Sequence, residues 1–386
     1  MEQSRSILRD EENLESEELE GASLDTQILQ GHISAFYAFD VGYEISLEKL
    51  TTLLSSVPAQ PMSPKKQTPM FTQYTRPPHI VHLGRTPCPF GGSAELRATL
   101  FDFGVVSMAY TWTLGKELPT LLSELPTISQ SLYQLNLVGN AREQVRSLVD
   151  RIKPAISKPN LSSIVEDYYL FVIERLGKSL RADELLTKYR SVLAQTLRFE
   201  TASLSVEQQD DALRQKLSYY EKDLLLIDWN AAVVYDQDYD DAVNVLELLN
   251  VELLEARYID TELDRRIQEH ANLAQGAMSW PIPLRTPLRK AMQELGELRI
   301  ESSLLSERLG NSLKLIGDLY LARVYSSGAE RFYLKQWQKI ISDKLDTIDS
   351  FYELVTDRIR TAQSQTLELA VIVLIMVELF LALFKH

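Results

Sequence analysis

The 386-residue chain has one cysteine, Cys88, set between Pro87 and Pro89. A single thiol excludes an intramolecular disulfide and a cysteine zinc cluster, and it fits a reducing compartment. Histidine is scarce too: there are five, with no His-Glu-x-x-His, and the chain also lacks Gly-x-Ser-x-Gly. The common hydrolase constellations are therefore missing. Gly91-Gly92-Ser93 is followed by no P-loop lysine. Asp102-Phe103-Gly104 matches the kinase metal-binding tripeptide, but no His-Arg-Asp loop accompanies it, and it reads as a turn between strands in which Gly104 supplies unusual backbone angles. No motif calls for a cofactor, and none is expected.

Positive charge is also in deficit. Lys and Arg number 40 against 54 Asp and Glu, a formal net charge of −14. That argues against nucleic acid as the main direct ligand, which needs clustered Lys and Arg, while leaving room for a local basic patch. The first thirty residues carry seven acids from Asp10 to Glu20 and little apolar content, the reverse of a signal or transit peptide. Residues 1–30 are expected to be a disordered acidic tail.

Residues 31–180 carry strand signals. Ile33, Ala35, Tyr37, Phe39 and Val41 alternate, Ser46 suits the N-cap of a short helix, and residues 58–78 form a proline-rich loop. Further strand patterns lie at Ile80–Leu83, Glu95–Phe101, Val105–Trp112 and Tyr168–Ile173, with a helix around Thr120–Leu135. The expected fold class is α+β, a small N-terminal domain for which a ferredoxin-like split β-α-β unit fits the order. After Arg181 the chain reads as helical, including Ser205–Val234, through a helical region 181–280 and coiled-coil helices 281–365, broken at Trp280-Pro281-Ile282-Pro283.

The last helix has the clearest register. Ile341, Leu345, Ile348, Tyr352, Val355 and Ile359 follow at steps of four and three, the seam of a long coiled-coil arm and the candidate oligomerisation surface. Leu367–Phe384 is then almost wholly apolar; eighteen residues reach roughly 27 Å, close to the ~30 Å hydrocarbon core, so residues 366–386 are expected to be a C-terminal transmembrane helix and tail anchor. Glu368 and Glu378 are the polar residues of that span, on the side away from the seam. Arg358 and Arg360 before the run place the bulk of the chain on the cytoplasmic side.

Asp236, Asp238 and Asp240, with Glu247 at the twelfth position, are the candidate metal ligands of a calcium-type loop. The sixth position, where such a loop needs glycine, is Asp241, and an acidic helix N-terminus explains the run equally.

Leu100–Val106, Tyr239 through Arg266 and the ending Leu367–Leu379 together resemble the "required for meiotic nuclear division" family of bacterial and mitochondrial proteins. The resemblance implies an N-terminal α+β domain, a coiled-coil arm and a membrane helix containing glutamate. Without a basic transit peptide, it implies a bacterial inner-membrane version. The resulting expectation is a membrane-anchored, non-enzymatic scaffold that forms homo-oligomers and binds a protein partner. The alternatives are a metal-dependent enzyme or regulator using Asp236 to Glu247, or a translation-associated RNA-binding protein.

Overall fold

The computed structural model describes residues 26–54, 59–61, 77–87, 93–116, 118–277 and 319–383, with 293, 296, 297 and 300 between the last two stretches. Cys88, the acids from Asp10 to Glu20, most of the proline-rich loop and the Trp280 break lie outside the described residues. The chain divides into two compact units, residues 1–255 with 311–334, and residues 256–310 with 335–386.

The first unit is built on β1 (Gln27–Asp40), which pairs antiparallel with β6 (Val105–Leu114) on one side and β9 (Glu166–Leu176) on the other. Beyond β6 lie β5 (Ser93–Leu100), β4 (His79–Pro87) and β3 (Ala59–Pro61), all antiparallel. Beyond β9 the sheet continues through β12 (Ala231–Tyr235), β11 (Leu224–Ile227) and β10 (Gln215–Leu217). β7 (Thr120–Leu121) adds to β1, making ten strands, and β2 (Glu44–Ile45) pairs separately with β8 (Ile156–Ser157). The β12–β9 pair is parallel, and a parallel pair needs a long crossover. The chain provides it with α4 (Ala182–Lys188), α5 (Arg190–Arg198) and α6 (Val206–Ala212) before the β10–β11 hairpin.

Both sheet faces are covered. Ile33, Ala35, Tyr37 and Phe39 of β1 pack under α1 (Leu47–Leu53), α2 (Leu125–Gln134), α3 (Val138–Ile152), α5 and α6. Phe36, with Tyr168, Leu170 and Val172 of β9, packs under α7 (Asp240–Ala277) and α8 (Leu319–Arg331). Between β5 and β6, Gly104 has φ +93°, and a Cβ there would lie 1.7 Å from the Gly42 carbonyl oxygen, so the turn requires glycine.

The expectation of a small α+β or ferredoxin-like domain with a helical remainder is corrected. The stretch Ser205–Val234 contains α6 and three strands, because Leu224-Leu225-Leu226-Ile227 and Ala231-Ala232-Val233-Val234 are buried on both faces and show no strand alternation. Asp228-Trp229-Asn230 is the turn between them.

In the second unit, α9 (Leu334–Leu383) is one helix of 50 residues. Ile341 and Ile348 are buried and Leu345 is partly buried, together with Ala256, Ile259, Leu263 and Ile267 of α7. Lys344 reaches Asp260 and Asp264 at 2.6 and 2.7 Å. The coiled-coil arm is thereby corrected: these seam residues serve a local helix pair within the chain, and the side chains of Tyr352, Val355 and Ile359 lie outside the described residues.

The membrane anchor is corrected as well. Among the described residues no helix is long and apolar enough to cross a membrane. The charge-free stretch between Glu368 and Glu378 is nine residues, roughly 14 Å, under half the hydrocarbon thickness. The tail-anchor, inner-membrane and cytoplasmic-side expectations fall with it.

A buried ion network fastens α8 to the sheet. Arg331 meets Asp228 at 2.5 Å and Asp211 at 2.8 Å; Arg198 meets the same two at 2.8 and 2.5 Å. Asp228 is fully buried and Arg331 is 6% exposed. The Arg331 guanidinium holds the Asp211 carboxyl down to about 2, while burial raises that of Asp228 against the two arginines. Arg331→Met removes one partner from a buried pair, which costs about 3–5 kcal/mol. The expected outcome is a lower urea midpoint at unchanged slope; an unshifted midpoint refutes the fastening role.

Candidate functional site

The carboxyl edge of a parallel strand pair beside a helix N-terminus is where open α/β sheets place ligands. Here that edge is formed by β9, β12 and the start of α7. At this same edge the β1–β9 register slips at Gln30, a β-bulge next to Gly31. A Cβ on Gly31 would lie 2.3 Å from the Val172 carbonyl oxygen, so only glycine allows this approach.

At the bulge, Gln30 Nε2 donates to Glu174 Oε2 at 2.5 Å. His32 Nδ1 lies 3.8 Å from Glu174 Oε1, an electrostatic contact rather than a hydrogen bond. The Tyr239 hydroxyl donates to the same oxygen at 3.3 Å, and its ring lies 5.0 Å from that of His32. His32 and Glu174 side chains are 14% and 17% exposed, covered yet open to solvent. The imidazole beside it holds the Glu174 carboxyl below the usual range, with Tyr239 and Gln30 adding hydrogen bonds. Burial first, and then the Glu174 charge, raise the Tyr239 phenol. The cluster sets an imidazole and a phenol beside one carboxylate, a group of polar side chains able to offer contacts to a ligand.

Sequence reasoning missed these residues because their positions, 30, 32, 174 and 239, are joined only by the sheet. The one local signal was His32 and Ser34 standing as polar residues on the face of β1 opposite Ile33, Ala35, Tyr37 and Phe39.

The predicted carboxylates lie on the same edge but do not converge. Asp236 Oδ1 accepts the Asp238 N–H at 3.1 Å, Asp238 is exposed, and Asp240 begins α7 with Asp241 in its first turn. Glu247 is buried two turns on, and Arg97 of β5 donates to it at 2.9 Å while stacking 5.6 Å over Phe36. Among the described residues no group of three or more His, Cys, Asp or Glu is arranged to hold a metal ion. Glu368 and Glu378 are exposed on α9.

A family model described as the N-terminal domain of the uncharacterized protein MJ0711 matches residues 30–242. The chain belongs to this family. The MJ0711 protein of Methanocaldococcus jannaschii is 26% identical over 245 residues, 63% of this chain and 74% of the relative. The MJ0711 match runs from the bulge to the first turn of α7, so it encloses the sheet and all four residues of the cluster. It also corrects the resemblance to the "required for meiotic nuclear division" family, to which nothing points. The segments that carried it are a strand turn, an acidic helix start and an apolar helix end, features common to many α/β chains.

Glu174 gives a pH test. Its folded pKa is lowered, so its contribution to stability is complete above the unfolded value of about 4.3 and is lost as pH falls through the lower folded value. Glu174→Gln is expected to be less stable than the parent in urea at neutral pH, with the difference shrinking below about pH 4. A difference independent of pH refutes the ionic role of Glu174.

Proposed function

We propose that this protein is a non-enzymatic assembly protein: the sheet unit engages partners, and the C-terminal part of α9 gathers several copies. The observation that carries this reading is the exposure of α9. Eleven large apolar side chains from Leu367 to Leu381 are 47–67% exposed, and Val371 to Val377 form an unbroken series. Seven consecutive residues occupy every side of a helix, and a helix apolar all round needs cover all round.

The energetics favour several copies over a pair. Half-exposed side chains gain about half of the roughly 1.5–3 kcal/mol of full burial, while association costs about 4–15 kcal/mol. A pair covers one stripe of about four residues, too little to offset the upper part of that cost, whereas a bundle of three or more helices covers most of the surface.

Light scattering of the full chain tests this. The parent is expected to be a trimer or larger. Ile372→Glu with Met376→Glu lie on one side of α9, and Leu374→Glu with Leu381→Glu on the opposite side. Both pairs are expected to yield smaller species. A monomeric parent, or an assembly unaffected by either pair, overturns the proposal.

A further inference from the structure

The β10–β11 hairpin holds two tyrosines in water. Its loop is organised by Asp223, which is 5% exposed. The Asp223 carboxylate accepts the Ser218 hydroxyl and the Tyr219 N–H, both at 2.8 Å, and the Tyr220 N–H at 3.0 Å. The Ser218 hydroxyl also lies 2.9 Å from the Asp223 carbonyl oxygen. A buried carboxylate with three donors makes this a fixed loop rather than a loose one.

Tyr219 and Tyr220 are 63% and 68% exposed, with rings 4.7 Å apart at 78°. Tyr320, at the start of α8, adds a third ring 5.6 Å from Tyr219 at 76°. Rigid, exposed aromatic rings are the usual anchors of recognition surfaces, because little conformational entropy is lost when they are covered.

The surrounding charge indicates what would cover them. Lys216 and Lys222 are exposed on the same hairpin, and Arg323 is exposed one turn after Tyr320, on the same side of α8. The two acids of the loop are occupied: Asp223 inside it, and Glu221 3.7 Å from Arg181. Three exposed cations against one exposed acid, Glu221, therefore accompany these rings on a chain of net charge −14. Flat π-faces combined with separated cations complement unstacked bases on an anionic backbone. A duplex keeps its bases stacked inside and offers these rings no face.

We propose that the Tyr219–Tyr220–Tyr320 platform binds single-stranded nucleic acid, with the rings stacking on bases and Lys216, Lys222 and Arg323 facing phosphates. The overall negative charge confines the interaction to this patch and makes it sensitive to salt. The proposal does not depend on self-association through α9, because the platform lies entirely in the first unit.

Fluorescence anisotropy of the full chain with short labelled single-stranded RNA and DNA, and with a matched duplex, tests it. Single strands are expected to bind and the duplex to bind far more weakly. Tyr219→Ala with Tyr220→Ala, both at exposed positions, is expected to weaken single-strand binding at least tenfold. Tyr219→Phe with Tyr220→Phe should retain it. Lys216→Gln with Lys222→Gln should reduce the slope of log affinity against log salt by about 1.4. Failure of the parent to bind single strands, equal affinity for the duplex, or indifference to the double alanine variant overturns the proposal and leaves the platform as a protein-docking surface.

Discussion

The structure depends on β1 being buried on both faces. One set of its side chains, Ile33, Ala35, Tyr37 and Phe39, enters the core under the α1–α6 helices, and Phe36 enters the core under α7 and α8. Both of its edges are hydrogen-bonded as well, to β6 and β9. A strand with no free edge and no free face fixes the two layers of helices relative to one another, since slipping it by one residue would exchange its two sets of side chains. The β1–β9 bulge shows how tightly this is set: it is placed where Gly31 allows the backbone of β9 to approach, and it turns Gln30 toward Glu174.

The second constraint is ionic. Arg331, from α8, enters the sheet unit as a buried cation and is met by Asp228 and Asp211, with Arg198 completing the network. Asp228 belongs to the β11–β12 turn, and the Tyr168 hydroxyl of β9 donates to its carbonyl at 3.1 Å. The matched family domain ends at residue 242, yet α8 is held to it by charges buried inside that domain. Desolvating these groups is costly, and it makes the placement of α8 specific because few other positions would pair every charge. Tyr320 is carried on the same helix, so the network also positions one ring of the tyrosine platform.

The molecule thus presents surfaces of different chemistry. The sheet unit holds a polar cluster at its carboxyl edge and a cationic aromatic platform at its β10 edge, while the second unit carries an apolar helix end. Such a division suits the proposed assembly role. If copies gather as proposed, the proposed platform is repeated with them, and linked sites bind more tightly than single ones.

Strands that alternate were legible in the sequence. β1, β5, β6 and β9 were marked by periodicity or by β-branched and aromatic residues, and the Gly104 turn by its glycine. β11 and β12 were not, because Leu224–Leu226 and Ala231–Ala232 are good helix formers and so short an apolar run, without alternation, looks alike in a strand and in a buried helix. The apolar end of α9 was equally visible, but its reading as a membrane span was wrong: Glu368 and Glu378 leave nine uncharged residues between them, too few to cross. The seam from Ile341 to Ile348 had a correct helical period, while its partner, α7 of the same chain, could be known only from packing. By itself the sequence determined local conformation and the exclusions that follow from one cysteine and few histidines. The tertiary structure alone decided which distant residues meet, because the His32–Glu174–Tyr239 cluster and the Arg331 network join positions that share no local pattern and are brought together only by strand order.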